Sequence, residues 1–215
     1  MRKLTYTLLI TILYFTTNAQ TSEYKPVSEN RKKEIETELL KASKNLKDLE
    51  CSFVQEKSSK LISETAKSEG ILAYKAPSLL RWEYIKPIKF ALILNENIYF
   101  KNENGVSENT NKLFKQMINL IVTTINGQNL IDSKNFKTDY FENTKHKETI
   151  LVKLTPIAKR LKEMYTTIKI KINTSDFLAS EIIMEEKTGD VMTITFVEKK
   201  INTNISEKSF VQIKN

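Results

Sequence analysis

The stretch that decides the fold reads Gly70-Ile71-Leu72-Ala73-Tyr74-Lys75-Ala76-Pro77-Ser78-Leu79-Leu80-Arg81-Trp82-Glu83-Tyr84-Ile85-Lys86-Pro87. From Leu80 to Tyr84 apolar residues alternate with charged ones, the period-two pattern of a strand with one buried face. Gly70 opens a preceding strand that runs to Lys75, and Pro77-Ser78 makes the turn between them. Pro87 ends the pair. Read alone, the segment is a β-hairpin with a tryptophan packed in the core.

The same pattern continues on both sides. Cys51 to Lys57 alternates upstream. Downstream come Phe90 to Leu94, an Asn95-Glu96-Asn97 turn, Ile98 to Lys101, and a turn from Asn102 to Gly105. A second meander is expected over Phe136–Phe141, Thr149–Leu154, Thr166–Ile172, Ala179–Met184 and Val191–Val197, with Thr188-Gly189-Asp190 as its clearest turn. Two helices interrupt the strands. Ile35, Leu39, Ala42, Leu46 and Leu49 recur at helical spacing as one apolar stripe, with Ser28 as N-cap. Leu113 to Ile125 is apolar around most of its girth and stops at Asn126-Gly127, so it should be buried on more than one side. Lys159 to Met164, after Pro156, reads as a short helical turn. Roughly nine to eleven strands in one sheet must curl or close. The expected fold is therefore mainly β (α+β): an incomplete, strongly curved antiparallel β-barrel with an α-helical lid over an apolar cavity. No repeat or linker divides residues 21–215, which read as one domain.

Composition removes many functions. Only 4 glycines occur in 215 residues, and no Gly-rich phosphate loop is among them. One Cys and one His exclude a zinc framework built on those ligands. Asp132, Asp139, Asp176 and Asp190 lack calcium-loop spacing, and no Ser sits in a nucleophile elbow. His146 lies between two lysines, far in sequence from Cys51, so a Cys–His pair is not indicated; Cys51 reads as a small buried hydrophobe. Glu185-Glu186 and the Glu34, Glu36 and Glu38 group read as solvated faces. We expect no enzyme activity, no cofactor and no metal. The net charge of +8 is spread over every segment, which argues for anionic headgroups or an acidic partner rather than nucleic acid. Residues 1–20 read as a cleaved signal peptide: Arg2 and Lys3, then an apolar stretch from Leu4 to Phe15 too short to span a membrane, then Asn18-Ala19-Gln20. Export to the periplasm follows as an expectation.

The decisive stretch resembles the signature of the LolA family, periplasmic carriers of outer-membrane lipoproteins. Phe53-Val54-Gln55, Gly70, Lys75-Ala76-Pro77, Arg81-Trp82-Glu83-Tyr84 and Pro87 follow the family pattern in order. Leu154-Thr155-Pro156, Thr188-Gly189-Asp190 and Phe210 are weaker matches, and the resemblance covers roughly residues 30 to 210. One departure stands out. Members place an arginine directly before the turn proline, where it points into the cavity and latches the lid; here that position is Ala76. Arg81 is the remaining candidate for related work, but it alternates outward with Glu83. The chain also stops about where those members add a further strand and loop.

The resemblance implies an apolar cavity that binds acyl chains, and strand alternation assigns its lining. Leu72, Tyr74, Leu80, Trp82, Tyr84, Phe90, Leu92, Phe100, Ile170, Met192 and Ile194 would face inward, and Met117, Ile118 and Ile121 would face down from the lid. Lys75, Pro77, Arg81, Glu83 and Pro87 form the hairpin signature. The implied partners are acylated lipoproteins or related lipids, an inner-membrane ABC-type lipoprotein-releasing complex, and an outer-membrane acceptor or the outer membrane itself. A monomer is the expected state of such a shuttle. The other reading the fold admits is a lipid-sensing periplasmic regulator; known regulators of this kind carry a second domain for which this chain lacks room.

Overall fold

The computed structural model describes residues 23–60, 64–102, 104–109 and 134–211. Among these residues a single 12-stranded antiparallel sheet dominates. In chain order the elements are β1 (Tyr24–Pro26), α1 (Glu29–Asn45), β2 (Asp48–Ser58), β3 (Thr65–Lys75), β4 (Leu79–Lys86), β5 (Phe90–Asn95), β6 (Asn97–Asn102) and β7 (Gly105–Asn109). Then follow β8 (Phe136–Asn143), β9 (Thr149–Pro156), α2 (Lys159–Met164), β10 (Tyr165–Asn173), β11 (Ala179–Glu186), β12 (Val191–Ile201) and a 3-10 turn over Glu207–Phe210. The spatial order is β1-β8-β9-β10-β11-β12-β2-β3-β4-β5-β6-β7. The C-terminal meander thus joins the N-terminal one through β12 and β2, and the sheet ends at β1 and β7 without closing.

One continuous core lies on the inner face. It collects Phe53, Leu72, Trp82 and Leu92 from one half of the sheet, and Val152, Ile170, Ile182 and Ile194 from the other. Ile35 and Leu39 of α1 belong to the same cluster, so the helix covers this face. Ser28 caps α1 by accepting from the Arg31 amide. Arg31 then ties the helix to β8 through Glu142 at 2.7 Å.

Several details differ from the sequence reading, each for a local reason. The helical stripe ends at Ala42: Leu46 is the C-cap, with extended backbone, and Leu49 lies on β2. Both are buried, so they prolong the apolar spacing without prolonging the helix. Tyr24–Pro26, read as polar lead-in, pairs with β8 at the sheet edge, where a proline costs no ladder bond. Gly105–Asn109 adds a strand beside β6. Gly70 does not open its strand but sits inside β3. Glu185 and Glu186 are half-buried and engage Lys169 and Lys57, so they are more than a solvated face. Residues 1–20, the helix read over Leu113–Ile125, and Met117, Ile118 and Ile121 lie outside the described residues.

Candidate functional site

The inner face of β12, β2, β3, β4 and β5 carries an aromatic row. The register places Phe196 opposite Phe53, Phe53 opposite Gly70, Gly70 opposite Tyr84, and Tyr84 opposite Phe90. The Phe53 ring fills the space where Gly70 has no side chain; a Cβ there would meet Phe53 and the Glu83 carbonyl oxygen inside 3.0 Å. This close approach is why the position needs glycine. Phe53 also lies 4.3 Å from the Trp82 ring, centroid to centroid, and 5.3 Å edge-on from Tyr84. Trp82 meets Phe196 edge-on at 6.1 Å. The row continues from Tyr84 to Phe90 at 6.3 Å and from Phe90 to Phe100 at 5.1 Å. The edge-on pairs Phe53–Tyr84 and Trp82–Phe196 have the geometry that aromatic quadrupoles favour.

The row changes in exposure along its length. Phe53 and Trp82 are buried, whereas Tyr84, Phe90, Phe100 and Met192 are half-buried against the same core. It therefore opens toward the end of the sheet where β4 finishes and β5 begins. The Tyr84 hydroxyl there is settled locally, donating to Gln55 Oε1 at 2.8 Å. Burial pushes the Tyr84 phenol above its ordinary pKa, so it stays a neutral donor.

Of the residues assigned inward, Leu72, Tyr74, Leu80, Trp82, Leu92, Ile170 and Ile194 lie buried in the inner core. Tyr84, Phe90, Phe100 and Met192 pack against it half-exposed. The hairpin signature divides between two faces. Trp82 and Tyr84 point inward. Arg81 and Glu83 point outward, joined by an ion pair at 2.7 Å. Tyr74 donates its hydroxyl to the Pro77 carbonyl, closing the turn, and the bonds preceding Pro77 and Pro87 are both cis.

The outer face holds a feature the sequence reading missed. After β12 the chain crosses back over β4 and β5 as a strap that ends in the Glu207–Phe210 turn. Phe210 is fully buried there, as are Ala91 and Ile93 on the outer face of β5. Lys75 holds the strap through the Ile205 carbonyl at 2.8 Å and through Glu207. The buried Asp48 carboxylate accepts from the Thr203 amide and hydroxyl and from the Asn204 amide. Asn202 caps the end of α1 by donating to the Asn45 carbonyl. Asn95 donates to the Phe210 carbonyl. The strap walls a cleft of about 370 Å³ lined by Glu50, Ile71, Arg81, Glu83, Lys101 and Lys208. A signal for this cover was present: Ala91-Leu92-Ile93-Leu94 is continuously apolar, as a strand buried on both faces should be.

Among the described residues no group of His, Cys, Asp and Glu could hold a metal. Cys51 is buried in the core, and burial pushes its thiol up to about 12, opposed by Lys199. At neutral pH it is a protonated, inert hydrophobe. It borders a void of about 10 Å³, room for one water at most.

An unclosed antiparallel sheet with a helix across its apolar inner face is a LolA-like architecture. The chain belongs to the family described as outer membrane lipoprotein carrier protein LolA, which matches it over residues 44–212. This is a family of extracytoplasmic carriers, not of enzymes. No curated protein matches the sequence. Solved structures of similar fold include a LolA superfamily protein from Nitrosomonas europaea (12% identity, 82% of this chain and 97% of that one, TM-score 0.46). The MucA/MucB complex of Pseudomonas aeruginosa is another (9% identity, 83% and 59%, TM-score 0.47). A third is the lipoprotein LppX of Mycobacterium tuberculosis (12% identity, 83% and 99%, TM-score 0.42).

Proposed function

We propose that this protein is a periplasmic chaperone that binds the acyl chains of lipoproteins and shuttles them from the inner to the outer membrane. The observation that carries the reading is the inner aromatic row, buried at Phe53 and Trp82 and half-open at Tyr84, Phe90, Phe100 and Met192. Acyl chains would enter at the half-open end and extend between the sheet and its helical cover. Residues 1–20 would direct export and be removed, leaving residues 21–215 as a single carrier domain. An inner-membrane ABC-type releasing complex would supply the cargo, and an outer-membrane acceptor or the outer membrane itself would take it.

Energetics favour an adaptable lining for such work. Burying an acyl chain from water yields ~0.8 kcal/mol per CH₂. Two or three long chains would therefore exceed the roughly 18–21 kcal/mol at which non-covalent affinity saturates. A carrier meets its cargo in a bilayer and returns it to one, so each exchange is apolar to apolar and the net steps are small. Aromatic and methionine side chains that repack suit this better than a rigid pocket. Among the described residues no helix is long and apolar enough to cross a membrane.

The test is native mass spectrometry with organic extraction of protein purified from the periplasm. Acylated species should co-purify, and should be lost when Phe90 or Met192 is replaced by Asp while the fold survives. These half-buried positions serve better than Trp82 or Leu92, where a buried charge would disrupt folding itself. Protein that stays free of lipid when mixed with lipoprotein would overturn the reading.

A further inference from the structure

The two rims of the sheet differ in chemistry. At one rim lie the β4–β5 turn, the β9–α2 turn and the β11–β12 turn; antiparallel pairing brings them to the same end. Backbone bonds knit part of this rim, from Ile157 to the Asn135 carbonyl and from Lys187 to the Met164 carbonyl. The β4–β5 turn exposes Ile85, Lys86, Pro87, Ile88 and Lys89 in succession. Ile88 is 75% exposed, Ile85 43% and Ile157, in the neighbouring turn, 50%. The opposite rim turns through Pro77-Ser78, Asn95-Glu96-Asn97, Thr144–Glu148, Asn173–Asp176 and Asn202–Asn204, and exposes no large apolar residue in those turns.

Exposed lysines occur at both rims, Lys44, Lys47, Lys145 and Lys147 at the opposite one, but only at this rim do they surround exposed isoleucines. Lys89, Lys134, Lys159, Arg160, Lys162 and Lys187 are exposed at the apolar rim, and none forms an ion pair. The rim acids Glu69, Glu186 and Asp190 are already engaged by Lys86 and Lys57. Exposed Glu64 and Glu163 remain, so cations outnumber free acids among the described residues of this rim. This is also the rim toward which the aromatic row opens, because Tyr84 and Phe90 flank the β4–β5 turn.

We infer that this rim docks directly on an anionic lipid bilayer, with Ile85, Ile88 and Ile157 entering the headgroup boundary and the free cations lying over phosphates. Exposed isoleucines ringed by unpaired cations match an interface that is apolar below and negative above. The inference builds on the carrier reading and names the surface with which the half-open site exchanges its cargo.

Vesicle sedimentation of the full chain, expressed with its own N-terminus and purified from the periplasmic fraction, tests it. The protein should sediment with phosphatidylglycerol-containing vesicles and not with pure phosphatidylcholine. Each cation lost should weaken partition about fivefold, the equivalent of ~1 kcal/mol. The Lys159→Gln, Arg160→Gln double variant should therefore bind about 25-fold more weakly. Ile88→Asp should lose binding with an unchanged melting temperature, because the side chain touches little of the fold. Equal binding to both vesicle types, or wild-type binding by these variants, would overturn the docking. So would no binding to either vesicle, which would leave an acidic protein as the rim's partner. Co-purified acyl cargo is measured in parallel. Cargo retained without vesicle binding refutes docking alone, whereas vesicle binding without cargo refutes the carrier reading.

Discussion

Gly70→Ala tests the packing on which the site rests. In an ordinary strand interior, replacing glycine by alanine is favourable by about 0.5–1 kcal/mol. Here the added methyl would overlap both the Phe53 ring and the Glu83 carbonyl oxygen. Overpacking typically costs about 1–3 kcal/mol, and one of these obstacles is backbone in the β3–β4 ladder, which places the cost near the top of that range. The net expectation is a loss of ~2 kcal/mol, or a melting temperature lower by about 4–8 °C for a chain of this size. The assay is thermal denaturation followed by circular dichroism, with Phe53→Leu and the double variant completing a cycle. The two substitutions should couple: removing part of the ring relieves part of the clash, so Phe53→Leu should cost less in the Gly70→Ala background. An unchanged or higher melting temperature for Gly70→Ala would refute the placement of Phe53 over this glycine, and with it the aromatic row.

Other outcomes follow from the same geometry. Trp82 is the chain's 1 tryptophan and is buried between Phe53 and Phe196; its emission should be blue-shifted, resist acrylamide quenching, and change on titration with acylated ligand. Asp48→Ala should release the strap, removing charge-assisted bonds worth about 1.5–3 kcal/mol each, and limited proteolysis should then cut between Asn202 and Ser206. The Cys51 thiol should ignore thiol reagents in the native protein and react once the protein is denatured. Its folded pKa of about 12 lies above the ordinary 9.0. The native state thus keeps a proton that the unfolded state releases; this stability is complete below pH 9.0 and is lost as pH rises toward 12. Cys51→Ala should flatten that part of the pH–stability profile.

The inner face was legible because it follows a rule of strict alternation. Leu80, Trp82 and Tyr84, or Ile168, Ile170 and Ile172, announce their side of the sheet by spacing alone. What escaped was whatever depends on residues distant in sequence. Gly70 looks like a strand opener until Phe53, on another strand, is seen to occupy its missing side chain. Leu46 and Leu49 keep helical spacing although the helix has ended, because cap and strand happen to bury them on the same side. The strap shows no strand or helix periodicity around Phe210, whose partners lie on the distant β4 and β5. Only the doubly apolar run of β5 hinted that its outer face was covered.

The division of the hairpin signature between two faces bears on how the sheet can open its inner side without losing shape. A lining that accommodates different chains must repack, and the half-buried Tyr84, Phe90 and Phe100 have the freedom to do so. Repacking on one side of a two-faced strand would ordinarily loosen the wall itself. Here β4 and β5 are braced from outside by Phe210, and the strap is fastened by Lys75, Asp48 and Asn95 rather than by anything on the inner face. Lys75 therefore braces the outer face while Tyr84 packs on the inner one, though both belong to one hairpin. The arginine that other members place before the turn proline is Ala76 here, whose amide donates to the Lys47 carbonyl at 2.8 Å. That bond ties the turn to the segment joining α1 and β2. The hairpin turn is thus anchored through backbone to the base of the helical cover, and no arginine side chain at this position is available to link the lining to that cover. The half-open end of the aromatic row lies at the opposite rim, where Tyr84 and Phe90 meet the exposed β4–β5 turn.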